Sequence, residues 1–208
     1  MGLLIPLLVL AIMYHVVKGE DNTTTENGND LEERTVEKFR AVFNSPALRG
    51  ALLPIATGTT ECDVVCATTR GVFVAECKHR RDNVAGSVHA DTWTVLSPQQ
   101  THLMENPLKQ NYYHVQAMKS YLESRGLNVP VHSVVVLIGK GTVSLTGENE
   151  ISTKIIRSFE EIGSLLSYPE TVPQDVAEQC FRAIAEREAT NEELAAHKAR
   201  VQVKYGNG

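Results

Sequence analysis

Polar and apolar positions divide the chain into stretches of different character. Between residues 3 and 17 the side chains are apolar except for Tyr14 and His15. Residues 20–30 are polar and low in complexity, and that composition predicts a disordered linker. From residue 31 the pattern becomes that of a folded domain. Leu31, Val36, Phe39, Val42 and Phe43 fall on one helical face, with Asp30 as the expected N-cap. Ala51-Leu52-Leu53-Pro54-Ile55 predicts a strand at a sheet edge, where proline is tolerated. Two apolar strands follow, joined by a turn at Thr68-Thr69-Arg70-Gly71. Residues 81–103 read as loop-rich, with short extended pieces near Val84 and Trp93-Thr94-Val95 and with Trp93 as a packing residue.

The clearest helix spans 106–125. Asn106 is its natural N-cap, Pro107 suits its first position and Gly126 its C-cap. Val131 to Ile138 is a near-continuous apolar run, which predicts a strand buried on both faces. Gly139-Lys140-Gly141 lacks the longer spacing of a phosphate loop and reads as a turn. Residues 143–145 and 151–156 are short extended candidates. Ser158 with Glu161 caps a short helix over 159–166. Residues 173–201 read as long, helical and charge-rich; Val176, Cys180, Ile184 and Leu194 give a face that packs on the core or meets a protein partner or a second copy. The expected organisation is an apolar membrane-targeting segment (1–19), a linker (20–30), a domain (31–168) and a C-terminal helical extension (169–208).

Composition narrows this picture. With 208 residues and 42% hydrophobic content, the chain supports one domain with a real core. A net charge of −5 excludes a global basic footprint, so any attraction of phosphate is local. Lys78-His79-Arg80-Arg81 is the dense basic run, and it makes His79, Arg80 and Arg81 the expected nucleic-acid contacts. The N-terminal apolar run is short of the roughly 20 residues of a membrane span and has no Lys or Arg before it. It reads as an anchor or as a signal segment. Cys62, Cys66, Cys77 and Cys180 show no zinc spacing and read as buried free thiols, with Cys62 and Cys66 on one face of their strand. Reduced thiols favour a membrane-associated protein whose domain faces the cytosol; the alternative is secretion after signal cleavage.

The chemistry concentrates in Glu61-Cys62-Asp63-Val64-Val65-Cys66 and Gly71-Val72-Phe73-Val74-Ala75-Glu76-Cys77-Lys78. Side chains alternate faces along a strand, so Asp63 shares a face with Glu61 and Val65, and Glu76 with Val74 and Lys78. Paired as a hairpin, the strands bring two carboxylates and an ammonium to one end of a sheet. Solvated strand ends are the common reading of such charges. Here they sit within apolar runs, where charge is costly unless paired or liganded. Two carboxylates suit Mg²⁺, which takes oxygen ligands and keeps several waters. A lysine beside the attacking water can orient or deprotonate it, a combination that fits metal-assisted phosphodiester hydrolysis.

These residues resemble the core motif of the PD-(D/E)xK nuclease superfamily, and more closely its nuclease-related domain, NERD. The resemblance runs over about residues 31–140. It takes in Glu33-Arg34-Thr35-Val36, the strand with Asp63, Gly71 to Lys78, Val84-Ala85-Gly86, Trp93, then Asn106, Pro107, Gln110 and His114, and the strand Val134-Val135-Val136-Leu137-Ile138. Glu32 stands where the family often has glycine, and Cys77 where it usually has Ile or Val. The resemblance implies an α/β restriction-endonuclease-like sandwich with a mixed central sheet flanked by helices. It implies DNA hydrolysis with Mg²⁺, for which Mn²⁺ can substitute. Asp63, Glu76 and the Cys77 backbone carbonyl would hold the metal; Lys78 and Gln110 would complete the catalytic set, and Glu33 and His114 would support it. The competing reading is a catalytically silent module that binds nucleic acid or a partner at a membrane.

Overall fold

The strand from Gly71 to Arg80 is buried along most of its length, and the layers form around it. The computed structural model describes residues 28–187 and 190–205. The elements are α1 (Gly28–Phe43), β1 (Ala47–Ile55), β2 (Gly58–Thr68), β3 (Gly71–Arg80), β4 (Asn83–Ser87), β5 (Thr92–Leu96), β6 (Thr101–Glu105), α2 (Pro107–Glu123), β7 (Val131–Gly139), β8 (Val143–Thr146), β9 (Lys154–Ile156), α3 (Gln174–Ala185) and α4 (Asn191–Tyr205). β3 pairs antiparallel with β2 and parallel with β7, which gives a mixed central sheet in the order β1-β2-β3-β7-β9.

Alternation along β2 and β3 fills two core layers. Cys66, Phe73 and Ala75 meet Leu31, Val36 and Phe39 of α1 on one side. Val65, Val72 and Val74 meet Val115, Met118 and Tyr121 of α2, with Cys180 of α3, on the other. Each fully buried large side chain contributes roughly 1.5–3 kcal/mol. The result is the expected α/β sandwich of a mixed sheet flanked by helices.

A second sheet, β6-β5-β4-β8, grows from one corner of the first. The parallel pair β3–β7 turns that corner together and continues as the parallel pair β4–β8. The crossing is too tight for side chains: a Cβ on Gly139 would lie 1.9 Å from the Arg80 carbonyl oxygen, and one on Gly141 1.7 Å from that of Asp82. This sheet is legible in the sequence only in part. The extended pieces expected near Val84 and at Trp93-Thr94-Val95 are β4 and β5, whereas β6 begins at Thr101, where the sequence reads as loop. The strands are short, and β6 is largely exposed, so little apolar alternation marks them.

Other boundaries move as well. Helix α1 begins at Gly28, so Asp30 lies in its first turn rather than at its cap, and 28–30 are helix rather than linker. The segment Phe159–Ser167 is a 3₁₀ helix. The C-terminal extension is two helices, α3 and α4, rather than one. The apolar segment 1–19 and residues 20–27 of the linker lie outside the described residues. No helix among the described residues is long and apolar enough to cross a membrane.

Candidate active site

The β2–β3 ladder runs from Thr68↔Gly71 to Val64↔Ala75 and stops there. Beyond that rung β2 continues along β1 back to Gly58, and β3 continues along β7 to Arg80. The two strands therefore fork, and Asp63 is the first residue inside the fork. β1 is irregular at the same level: Gly50 takes φ +68° and its rung with Asp63 is missing, while the register is the same on either side, Arg49↔Val64 and Ala51↔Cys62. Side-chain parity changes across this rung in both strands without a register shift: Ala47 packs on the α1 side and Ala51 on the α2 side. Cys62 consequently packs beside Val65 on the α2 side, whereas Cys66 packs on the α1 side. The two thiols do not share a face as simple alternation predicts. Cys62, Cys66, Cys77 and Cys180 are all buried free thiols.

Asp63 Oδ2 accepts a hydrogen bond from the Cys77 N–H at 2.8 Å. The N–H and C=O of a strand residue point the same way, so the Cys77 carbonyl also faces the fork. The Cys77 side chain points into the α1 layer, where its Sγ lies 3.8 Å from Thr35 Oγ1. Glu76 is fully buried. Its Oε1 lies 2.6 Å from Lys78 Nζ, and its Oε2 lies 3.4 Å from His114 Nδ1. Both oxygens are buried without a hydrogen bond of regular geometry.

Burial foremost, then the charge of Asp63, pushes the Glu76 carboxyl up to about 7, against the pull of Lys78. Burial also raises Asp63, opposed by the Cys77 N–H and by Lys78. The site is thus a set of carboxylate oxygens, those of Glu76 fully buried and those of Asp63 reaching the cleft, with Lys78 as their nearby cation. It fits a hard divalent cation that is bound through one or two carboxylates and keeps its waters. Among the described residues no three His, Cys, Asp or Glu side chains form a metal cage.

Glu32, not Glu33, joins this cluster. Burial and then the Asp63 charge push Glu32 up to about 7, and Arg49 Nε lies 3.8 Å from its Oε2. Glu33 is exposed. Successive helical residues are about 100° apart, and the buried stripe Leu31, Thr35, Val36 and Phe39 turns residue 32 inward and residue 33 outward. That stripe was the signal in the sequence that would have separated the two.

Helix α2 supplies the opposite wall. Asn106 Oδ1 accepts the Leu108 N–H at 2.9 Å, and its amide donates to the carbonyls of Val88 at 3.1 Å and Ala90 at 2.7 Å. Gln110 and His114, one turn apart, line a cleft of about 610 Å³ together with Asp63. Asn111, whose role the sequence did not show, is fully buried and donates to Val74 O at 3.0 Å and to Val134 O at 2.9 Å. It pins α2 across β3 and β7. An Asn inside a helix has no pattern that marks such a tether.

His197 and Arg200 of α4 also line the cleft. His197 Nε2 lies 3.3 Å from Glu61 Oε2, and Arg200 NH2 donates to the Thr59 carbonyl at 3.1 Å. Their distance along the chain hid them from sequence reading.

The basic run splits. Arg80 is buried and donates from Nε to the Leu137 carbonyl at 2.8 Å, so it is a structural residue and not a surface contact. Burial, followed by Arg81 and Arg80, lowers the His79 pKa. Strand alternation sends His79 to the face opposite Lys78, and Arg81 is the exposed member of the three.

The family model described as "Nuclease-related domain" matches residues 27–138, more than half of the chain. No curated protein and no solved structure matches it.

Proposed function

Because the chain belongs to the nuclease-related domain family, we propose that it is a Mg²⁺-dependent nuclease that hydrolyses the phosphodiester bonds of nucleic acid, DNA foremost. The observation that carries the proposal is the buried Glu76 carboxylate beside Asp63, with Lys78 Nζ at 2.6 Å. Asp63, Glu76 and the Cys77 carbonyl would hold the cation, and Mn²⁺ fits the same oxygens. When bound, the cation supplies charge neutralisation and a more acidic water.

The remaining work belongs to the chain's own side chains. Lys78 is half-exposed at the mouth of the fork, where its ammonium can orient the attacking water and stabilise charge developing on the phosphate. Gln110 lines the cleft with Asp63 and can donate its amide to a phosphate oxygen. His114 holds the Glu76 carboxylate from the helix side. Glu32 adds negative charge and so strengthens attraction for the cation. Binding nucleic acid alone would not require two carboxylates next to the expected phosphate, which favours catalysis over a silent module.

Calorimetric titration of the protein with Mg²⁺ tests the metal assignment. Binding to the wild type and a loss of about ten-fold or more in affinity on Asp63→Asn, from removal of one anionic ligand, supports it. Equal affinity in both removes Asp63 from the metal site.

A further inference from the structure

Tyr112 and Tyr113 are 57% and 68% exposed, whereas Trp93, Phe39 and Phe73 are fully buried. They lie on α2 between Gln110 and His114. The helix does not need them for packing, since its core face is built from Leu108, Val115, Met118 and Leu122. Two adjacent aromatic rings left in water call for an explanation where a lone exposed apolar residue does not. Their centroids are 5.6 Å apart with an interplanar angle of 76°, an edge-to-face arrangement that leaves an open face on each ring. Tyr113 lines the cleft that holds Asp63, Gln110 and His114. It also lines an adjoining groove of about 560 Å³ with Pro54 and Ile55, so it stands on the path out of the candidate site.

Charge decides what can follow that path. The chain carries a net −5 and Arg80 is buried; Glu61, Asp63, Asp91 and Glu105 line the cleft against Lys109 and Arg200, of which Lys109 is paired with Asp91 and Arg200 is engaged by Thr59. Both phosphate backbones of a duplex would find few cations there, and duplex affinity comes mainly from such contacts. Stacking on an aromatic face needs no charge, but it does need an unpaired base.

We infer that the Tyr112–Tyr113 ridge stacks unpaired bases beside the scissile phosphate, so that the substrate class of this site is single-stranded nucleic acid or a single-stranded end. The cleavage half of this inference rests on the nuclease reading above; the binding half does not.

The test is fluorescence anisotropy with the full chain, with Ca²⁺ in place of Mg²⁺ to neutralise the carboxylates and the oligonucleotides checked for integrity on a gel. The probes are a labelled thymidine oligomer of about a dozen nucleotides, a ribonucleotide oligomer of the same length, and a duplex of the same length. A single strand of DNA or RNA is expected to bind at least about ten-fold more tightly than the duplex, and the two strands compared show which sugar is preferred. Tyr113→Ala is expected to weaken single-strand binding about 5- to 150-fold, the worth of one base–aromatic stack. Tyr113→Trp should keep it, and Tyr113→Leu should not.

Equal or tighter duplex binding, no binding of any probe, or a Tyr113→Ala variant that folds and binds like wild type overturns the inference. Parallel incubation with Mg²⁺ separates this from the nuclease reading. Tyrosine-dependent single-strand binding without cleavage of any probe sinks the nuclease reading and leaves the ridge standing. Duplex cleavage indifferent to Tyr113 does the reverse.

Discussion

Glu76 has no contact with solvent, so its neighbours set its charge. Its carboxyl is raised from an ordinary 4.5 to about 7. A carboxyl whose folded pKa exceeds its unfolded one holds its proton more tightly in the native state. The native protein then binds more protons between the two values, and stability falls as pH rises from about 4.5 through about 7. The metal-free protein is therefore expected to lose stability toward urea across that window. Glu76→Gln should remove on the order of 1–3 kcal/mol of the loss, and Mg²⁺ should stabilise the wild type more at about pH 8 than at about pH 5. Urea titrations at the two pH values check this; the same pH slope in wild type and Glu76→Gln contradicts it. The helix carboxylates give a second contrast. Glu32→Gln should lower Mg²⁺-dependent cleavage about ten-fold, or ~1.4 kcal/mol, while Glu33→Gln should leave it within about two-fold, because Glu33 points to solvent. Equal effects would return Glu33 to the site. Strand alternation alone put Asp63, Glu76 and Lys78 in one place. It misjudged Arg80, because nothing local in a run of basic residues tells which guanidinium finds a buried carbonyl.

At the scale of elements, the site exists because two strands stop pairing. β2 leaves β3 at Val64↔Ala75, and the fork so formed gives the Cys77 N–H to Asp63 rather than to a ladder partner. The hairpin and the helix beside it were legible, since both follow short-range patterns. The fork was not, because where a ladder stops has no short-range pattern. The second sheet was legible only as separate short pieces, for a different reason. Its strands bury one thin stripe around Trp93, and Gly86 makes room for that ring: a Cβ there would lie 2.4 Å from Trp93 Cδ1. Helix α2 depends on its N-cap residue in the same cross-element way. Asn106→Ala should destabilise the protein by about 1–2 kcal/mol through loss of the cap, and by more through the two orphaned carbonyls of Val88 and Ala90. Asn106→Asp keeps the cap acceptor and should fall between. Chemical denaturation measures both; wild-type stability in Asn106→Ala would show that the cap is dispensable.

For the whole molecule, the central sheet positions the carboxylates, α2 closes one wall and α4 closes another through His197 and Arg200. The N-terminal segment lies outside the described residues. Its apolar residues at 3–17 and the polar stretch after them lead us to expect that the full chain sediments with membranes and that removing residues 1–19 releases the domain. Intact mass of the product distinguishes an anchor from a cleaved signal. A chain that retains 1–19 and stays in the supernatant without detergent contradicts both.

The central claim is that Asp63, Glu76 and Lys78 form one hydrolytic centre, and a single comparison tests it most directly. Wild type and Lys78→Ala are incubated with DNA and Mg²⁺, with and without EDTA, and circular dichroism confirms that both are folded. The account predicts cleavage by wild type that EDTA abolishes, and a loss of at least about 100-fold in Lys78→Ala, as for removal of a group that stabilises transition-state charge. Cleavage by folded Lys78→Ala at the wild-type rate, or no metal-dependent cleavage by wild type, contradicts it.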